Sequence, residues 1–447
     1  MFACRPPVKN FRLAIVGGGI GGVILALGLL RRNVPVRIYE AASAFREVGL
    51  GLSIGPAAHR AIPLIDPRIR NIYDALITTH ADSPGYERYR RTWFEMVWAT
   101  GNNAGKVFLN LQALPSGQTS LRRADFLHCL LSLIPPGVIH YGKRLETFKE
   151  TENGVEMFFK DRTCARADAL IGCDGIHSKV RECMLPDERD RSAPQYSGMY
   201  GYRAVLDMRD MVEAVGEDRA RVATIYVGQG AYAITYPIMR SKKVNVGLYV
   251  KKPHWNYNTW VRPAEKSEMY RDFDHMGDHV KAIMQRVTDS SQWAIFESRQ
   301  HLSTYVKSRA VLLGDAAHAS TPHQGAGAGQ AVEDAHVLAE LIGDPRVIQP
   351  QDLAAAFKAY DAVRRPRSQR VVTTSKEAGN LWCLSQKDVM DDEEKLKQTL
   401  TTRLRWLWDL DVEEQVNRAK SIMIEEMQRR NKGFSIYLSL SNHALVK

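Results

Sequence analysis

The chain has 447 residues, of which 45% are hydrophobic and 25% charged, a length and balance that predict roughly two to three globular domains. Its net charge of +11 accompanies no nucleic-acid recognition motif, so we expect small anionic molecules rather than nucleic acid as partners. The six cysteines form no CxxC pair and no apolar run reaches the ~20 residues that span a bilayer, which predicts a cytoplasmic protein without a metal site, disulfide framework or membrane segment.

The first predicted unit is a strand, a glycine-rich turn, a helix and a second strand. Phe11–Val16 is predicted as a buried strand because Leu13–Val16 is a continuous apolar run, Gly21–Arg31 is predicted as a helix, and Val34–Tyr39 as the second strand. This order of elements is the one with which dinucleotide-binding folds begin.

The turn places Gly17, Gly19 and Gly22 at the positions of a GxGxxG pattern. The first glycine permits the tight turn, the second lets the backbone approach a pyrophosphate, and the third lets the helix pack closely on the strand. Glu40 follows the second strand, where its carboxylate could accept hydrogen bonds from ribose hydroxyls and would repel a 2′-phosphate. The pattern therefore predicts an adenosine with a free 2′-hydroxyl, as in FAD or NAD.

Two further elements are predicted before the middle of the chain. Leu121–Leu133 is interpreted as a helix that begins near Arg122 or Arg123, and Ala167–Cys173 as a buried strand. The strand ends at Asp174-Gly175, a loop that could lie near cofactor phosphates, although an Asp-Gly pair after a strand is also an ordinary turn.

Alternating apolar and polar residues after Pro186 predict an antiparallel sheet. Its strands are expected at Tyr200–Leu206, Val222–Val227, Ala231–Ile238 and Val244–Val250. We expect this β-sheet to form a separate substrate domain over residues 185–299.

A third loop of interest follows the predicted buried strand Ala310–Leu313. Asp315 closes that strand and could accept a hydrogen bond from a ribityl hydroxyl, while glycines including Gly327 would let the backbone approach a flat ring. A helix beginning near Gly329 would direct its positive end toward that ring and stabilise the negative charge of a reduced flavin. The nearby His318 and His323 are interpreted as structural residues.

These three stretches, in this order, resemble the group A flavin-dependent aromatic hydroxylases of the para-hydroxybenzoate and salicylate hydroxylase type. The resemblance rests on the GxGxxG turn, on GCDGIHSKVR and on GDAAHASTPHQGAGAGQAVEDA, and it covers roughly residues 10 to 380. It implies bound FAD, transient NADPH or NADH, and O2 as the source of the oxygen atom that is transferred to a phenolate.

The resemblance also implies residue roles. Glu40 would bind the adenosine ribose, Arg123 would contact FAD, Asp315 would contact the ribityl chain and Ala328 the isoalloxazine ring. The chain departs from the family pattern Gly-Gln-Gly-x-Asn, because Gly325 to Gly329 read GAGAG. The departure puts a side-chain contact to the flavin in doubt, but not the role of the backbone.

The substrate is expected to be a small phenolic molecule. Arg203 and Tyr236 lie on what we interpret as neighbouring strands, where the arginine could hold a phenolate oxygen and the tyrosine could orient it. Equally, the residues alone are compatible with a solvated arginine and a core tyrosine. The stretches GYRAV and ITYPIM are similar to fungal hydroxylases of the tropolone, sorbicillin and azaphilone pathways, in which an Arg and a Tyr at the matching positions bind the substrate phenolate.

We therefore predict an α/β fold with a Rossmann-like FAD-binding domain at 1–184 and 300–380, the sheet domain, and a C-terminal helical extension at 381–447. The expected reaction is oxidative dearomatisation of a resorcinol- or orcinol-type polyketide aldehyde, in a monomer or homodimer. Two alternatives stay open: a decarboxylating salicylate-type hydroxylase, because Arg203 could also hold a carboxylate, and a flavin-binding homologue without catalytic activity.

Overall fold

The computed structural model describes residues 8–44, 51–385 and 392–444. The predicted C-terminal region thus includes two stretches, 386–391 and 445–447, that lie outside the described residues.

The described strands form two large sheets and two small ones. In chain order they are β1 Leu13–Val16, β2 Val36–Tyr39, β3 Gly51–Ser53, β4 Thr92–Trp98, β5 Val107–Gln112, β6 Ser120–Arg122, β7 Ile139–His140, β8 Leu145–Thr151, β9 Gly154–Phe159, β10 Cys164–Ala167, β11 Ala169–Gly172, β12 Gln195–Asp207, β13 Thr224–Gly228, β14 Ala231–Ile238, β15 Lys243–Lys251, β16 Val261–Pro263, β17 Ser291–Glu297, β18 Val306–Lys307 and β19 Ala310–Leu312.

The helices surround these sheets and dominate the last third of the chain. They are α1 Ile20–Arg31, α2 Pro56–Ile65, α3 Pro67–Leu76, α4 Arg123–Leu131, α5 Lys179–Met184, α6 Arg189–Ser192, α7 Met208–Val215, α8 Glu217–Arg221, α9 Lys266–Phe273, α10 Asp278–Arg286, α11 Asp315–His318, α12 Gly327–Gly343 and α13 Leu353–Trp382, followed by Glu393–Thr402, Arg405–Trp408 and Val412–Ala444. The expected α/β class with C-terminal helices is confirmed. Among the described helices, none combines the length and apolar character needed to cross a membrane.

The six-stranded sheet has the order β18-β19-β11-β1-β2-β7, and all its pairings are parallel except the edge pair β18–β19. Strand β1 is buried along its whole length, as expected for a strand between helical layers. Because β1, β11 and β19 are adjacent and parallel, the three loops predicted to contact a cofactor leave the sheet at the same edge. In open α/β sheets this carboxyl edge is where ligands bind.

The eight-stranded sheet has the order β16-β17-β12-β15-β14-β13-β4-β5. All four strands predicted in the middle of the chain are present in it. Strands β4 and β5, which were not predicted, also join this sheet, and β4 pairs in parallel with β13. Residues 92–112 therefore add to the sheet that was expected from residues 185–299 alone, and the proposed domain boundaries stay a prediction.

The register of this sheet corrects one expectation about the site. Arg203 lies on β12 and Tyr236 on β14, and β15 runs between them, so the two strands are not neighbours. Arg203 pairs with Gly247 of β15, which pairs with Ile234 of β14. Since paired residues point to the same face and the period of a strand is two, Arg203 and Tyr236 still share one face.

Candidate active site

The glycine turn after β1 has the geometry that the sequence pattern requires. Gly17 has a φ of +105°, and a Cβ added there would lie 2.3 Å from the carbonyl oxygen of Cys173. A Cβ on Gly22 would lie 2.2 Å from the carbonyl oxygen of Gly17, so α1 can pack on the turn only with glycine at this position. At Gly19, by contrast, an added Cβ would meet no atom within 4 Å. The open side of the turn is thus the side beside the N-terminus of α1.

Glu40 is half-buried at the end of β2, beside this turn. Its carboxylate accepts hydrogen bonds from the backbone N–H groups of Gly18, at 2.7 Å, and Ala42, at 2.8 Å. These bonds fix the carboxylate next to the turn, where the predicted contact with ribose would take place.

Asp174 organises its own loop. Its carboxylate accepts hydrogen bonds from the Ser178 hydroxyl at 2.5 Å and from the N–H groups of Lys179 and Val180 at 2.7 and 3.0 Å. Burial raises the pKa of this carboxyl, an effect that the hydrogen bonds counteract. The neighbouring residues Cys173 and Gly175 line the main cavity and Asp174 does not, so we assign Asp174 the positioning of the loop.

The Gly314-Asp315 turn is held by a hydrogen bond to the buried carboxylate of Asp334. Gly314 has a φ of +65° and donates its N–H to Asp334 Oδ2 at 3.0 Å. The same oxygen accepts from His318 Nε2 at 2.6 Å, and Asp334 Oδ1 accepts from Arg364 Nε at 2.7 Å. Burial alone would raise the pKa of Asp334, but His318 and Arg364 outweigh it and lower the pKa to about 2. The carboxylate that holds the turn is therefore ionised.

Arg364 connects this carboxylate to the C-terminal helices. It is fully buried and also donates to Glu333 Oε2 at 2.7 Å and to Gln330 Oε1 at 2.8 Å. Glu333 in turn accepts from Arg367, which donates to the carbonyl oxygen of Leu407 at 2.8 Å. The network ties α12, α13 and the segment around residue 407 to the turn.

The glycine-rich loop leads into α12 earlier than expected. The helix begins at Gly327, not near Gly329, so Gly327 and Ala328 are its first residues and both line the cavity. Ala326, the residue before the helix, makes no side-chain cap, which leaves N–H groups of the first turn for a ligand.

One cavity of about 450 Å³ joins these loops to the eight-stranded sheet. Eight of the eleven predicted site residues line it: Gly19, Gly22, Arg123, Arg203, Tyr236, Asp315, Gly327 and Ala328. The other three, Gly17, Glu40 and Asp174, shape the loops next to it.

Arg203 brings a positive charge to a predominantly aromatic part of this cavity. Its guanidinium carbon lies 5.0 Å from the centre of the Trp293 ring, and its Nε is buried without a hydrogen-bond partner. The guanidinium forms no ion pair with any residue that the structure describes. Arg203 is half-buried, so its charge is partly withdrawn from water without an anion to compensate it, and the site is complementary to an anionic ligand.

Tyr236 lines the same face of the sheet and packs against the backbone of β3. A Cβ on Gly51 would lie 2.6 Å from the Tyr236 hydroxyl, so a side chain at position 51 would collide with the tyrosine. Burial raises the pKa of Tyr236, with Tyr249 adding to the rise and Arg203 opposing it. The hydroxyl therefore stays protonated and is available as a hydrogen-bond donor.

His323, which was expected to be a structural residue, lines the cavity. Its Nδ1 shares a hydrogen bond of 2.7 Å with the Tyr232 hydroxyl, while its Nε2 is buried without a partner. Burial and the charge of Arg203 lower the pKa of His323 to about 3, which keeps the imidazole neutral in ordinary buffers. Tyr232, which lies four residues before Tyr236 on β14 and so shares its face, also lines the cavity.

Two cavity residues come from the chain after residue 380 and carry no sequence signal. Trp382 ends α13 and donates its Nε1–H to the carbonyl oxygen of His323 at 3.0 Å, and Leu404 lies between the helices Glu393–Thr402 and Arg405–Trp408. Both are apolar residues in or between helices, and only the tertiary fold shows that they line the cavity.

The residues of this site fit an FAD molecule. The open side of the turn at Gly19, the uncapped start of α12 and the exposed carboxylate of Asp315 meet at one edge of the parallel sheet. Glu40 and Arg123 would add contacts to the adenosine ribose and the cofactor. When bound, FAD would supply the redox chemistry that activates O2.

We expect Asp315→Ala to weaken FAD binding by about 10- to 100-fold, because a hydrogen bond to a charged group contributes about 1.5–3 kcal/mol. The dissociation constant is measured by titrating the apoprotein with FAD and following flavin fluorescence. Asp190→Ala is the matched control, since Asp190 is also an exposed aspartate in the first turn of a four-residue helix. Unchanged FAD affinity in Asp315→Ala would remove this residue from the cofactor site.

Comparison with known proteins agrees with this geometry. Residues 134–375 match the family model described as an FAD binding domain. A salicylate hydroxylase from Pseudomonas putida is 38% identical over 426 residues, which cover 92% of this chain and 95% of that protein. The 6-methylsalicylate 1-monooxygenase from Aspergillus terreus is 36% identical over 426 residues, with 94% of each chain covered.

A further relative and a solved structure complete the comparison. An FAD-dependent monooxygenase from Monascus ruber is 36% identical over 437 residues, covering 94% of this chain and 97% of the relative. A salicylate hydroxylase substrate complex has a TM-score of 0.81 at 33% identity and covers 93% of this chain and 98% of that chain.

Proposed function

The chain belongs to the FAD-binding-domain family of aromatic hydroxylases, and from this we propose that it hydroxylates and dearomatises a resorcinol- or orcinol-type polyketide aldehyde with NADPH or NADH and O2. As an FAD-dependent monooxygenase it is an enzyme, so the alternative of a non-catalytic flavin-binding homologue is dropped.

The observation that carries the substrate proposal is the guanidinium of Arg203, which has no anionic partner among the described residues and lines the same cavity as Tyr232, Tyr236 and Tyr249. A phenol that enters this cavity gains a charge-assisted hydrogen bond when it loses its proton, so the arginine lowers the pKa of the bound phenol. The phenolate is the electron-rich form that accepts an electrophilic oxygen atom. Tyr236 would donate a second hydrogen bond to the same oxygen and fix the orientation of the ring.

The overall reaction balances as a monooxygenation. One oxygen atom of O2 enters the product, the other leaves as water, and NADPH or NADH gives up a hydride, with one further proton consumed. In the dearomatising outcome a C–O bond forms at a substituted ring carbon next to the phenolate carbon, and the phenolate C–O bond becomes a ketone. The chain's own contribution is to hold the anion, orient the ring and keep water out with apolar walls.

The second candidate is a decarboxylating salicylate-type hydroxylase. It is favoured by the names of two relatives, salicylate hydroxylase and 6-methylsalicylate 1-monooxygenase, and by the fact that a guanidinium can hold a carboxylate as well as a phenolate. In that reaction the ring carbon loses CO2 as it gains oxygen, and the ring stays aromatic.

Product analysis separates the two. The purified holoenzyme is given NADPH, O2 and either a resorcinol-type aldehyde or a salicylate, and coenzyme consumption is compared with product mass and CO2 release. We expect the aldehyde to gain one oxygen atom and keep all its carbon atoms. Coupled release of CO2 from salicylate, with no product from the aldehyde, would replace the proposal with the second candidate.

A further inference from the structure

The cavity extends well beyond Arg203, the residue that is proposed to bind the substrate anion and that we call the anion site. Arg203 lies on β12, and the cavity-lining residue Leu111 lies on β5, five strand positions away across the same sheet. At ~4.8 Å per strand this separation is about 24 Å. A ring held at Arg203 therefore leaves space along the sheet in the direction of β5.

The far end of this space is apolar. It is lined by the side chains of Trp93, Phe94, Leu111, Ile225, Trp382 and Leu404, which we call the apolar arm. All six are buried and belong to one hydrophobic cluster. They come from β4, β5 and β13 on the sheet side and from the C-terminal helical segments on the other side.

Register connects the arm to the anion site. Arg203, Gly247, Ile234 and Ile225 form one cross-strand row from β12 to β13, so a molecule can lie along this row without changing face. Gly247 has no side chain of its own and is covered by the Tyr249 ring and by Ile234, with which a Cβ added there would collide, at 2.8 and 3.0 Å. These two cavity-lining side chains form a continuous aromatic and aliphatic surface between Arg203 and Ile225. The cation and the apolar arm are thus two ends of one binding surface.

We propose that the apolar arm binds an unbranched apolar substituent, several carbon atoms long, on the ring of the substrate. This inference rests on the proposed function, because it takes the phenolate at Arg203 as the fixed point. A salicylate-sized molecule held there would leave the arm unfilled. Each methylene that leaves water for an apolar environment improves binding by about fourfold.

The test uses two resorcinol-type aldehydes that differ only in one ring substituent, methyl or pentyl. Dissociation constants come from the change in the flavin spectrum of the holoenzyme, and kcat/KM from product formation. We expect the pentyl homologue to bind the wild-type enzyme at least about tenfold more tightly and to show a correspondingly higher kcat/KM.

A variant with a larger side chain in the apolar arm tests whether the preference for the pentyl homologue arises there. Leu404→Phe adds volume to the arm and should lower the pentyl-to-methyl ratio of kcat/KM by at least about tenfold. Leu400→Phe is the matched control, because Leu400 is equally buried in the same cluster but does not line the cavity. This control should keep the wild-type ratio.

The outcomes separate the inference from the proposed function. Equal affinity for both homologues, or the same fall in the ratio for Leu400→Phe, overturns the arm as a substituent site. Loss of FAD from Leu404→Phe also overturns it, since the arm would then hold the cofactor. Tighter binding of the pentyl homologue without hydroxylation supports the arm and contradicts the proposed reaction, whereas binding of neither homologue contradicts both.

Discussion

Arg203→Ala is expected to lower kcat/KM for the phenolic substrate by about 100- to 1000-fold, the usual effect of removing one hydrogen-bond donor aimed at an anionic centre. The guanidinium of Arg203 has no anionic partner among the described residues, and its charge acts on Tyr232, Tyr236 and the neutral His323. Its loss removes both the bond to the phenolate and the charge that favours ionisation of the phenol. Steady-state product formation measures the effect.

A spectroscopic measurement distinguishes this role from a structural one. The pH at which the bound phenol ionises, followed by phenolate absorbance, should rise in Arg203→Ala and return partway in Arg203→Lys. FAD content should stay at the wild-type value. Arg88→Ala is the control, because Arg88 also lies over an aromatic ring, that of Tyr89, but is exposed and outside the cavity. Wild-type turnover in Arg203→Ala would remove this residue from the reaction.

Arg364→Ala is expected to lower the free energy of unfolding by about 3–5 kcal/mol, because it removes the buried cation shared by Asp334 and Glu333. Asp334 would then keep His318 as its side-chain hydrogen-bond partner, and its hold on the Gly314 N–H would weaken. We therefore expect FAD loss to accompany the lower stability. Chemical denaturation gives the free energy, and flavin release on dilution gives the second readout.

The neighbouring residue provides a matched control. Arg365 lies on the same helix and pairs with Asp361 at 3.0 Å, but its side chain is 30% exposed, so Arg365→Ala should cost less than about 1 kcal/mol. Equal effects of Arg364→Ala and Arg365→Ala on the free energy of unfolding would contradict the importance of the buried network.

The pKa of Asp334 in the folded protein, about 2, lies below its value in the unfolded chain. The pairing of this carboxylate therefore stabilises the fold above about pH 4, and the stabilisation is lost as the pH falls toward 2.

Local patterns predicted the three loops at the carboxyl edge of the parallel sheet, because each loop is set by a few residues close in sequence. Gly17 and Gly22 are required by contacts within or next to the turn itself, and a buried strand before Gly314 is visible as an apolar run. The order of these loops along one sheet edge follows from parallel β-α-β topology.

The substrate side was harder to predict because it depends on pairing between distant strands. Nothing near Trp93 or Leu111 indicates that β4 will pair in parallel with β13, more than a hundred residues later. The strand inserted between those of Arg203 and Tyr236 arises from the same non-sequential order. Trp382 and Leu404 reach the cavity through helix packing, which has no local signature.

The most direct test of the account is the product formed by the wild-type holoenzyme from a resorcinol-type aldehyde, NADPH and isotopically labelled O2. We predict a non-aromatic product that carries one labelled oxygen atom, keeps every carbon atom of the substrate and forms in proportion to NADPH consumed. NADPH oxidation that yields only hydrogen peroxide, or a product that has lost CO2 and stays aromatic, would contradict the proposed dearomatising hydroxylation.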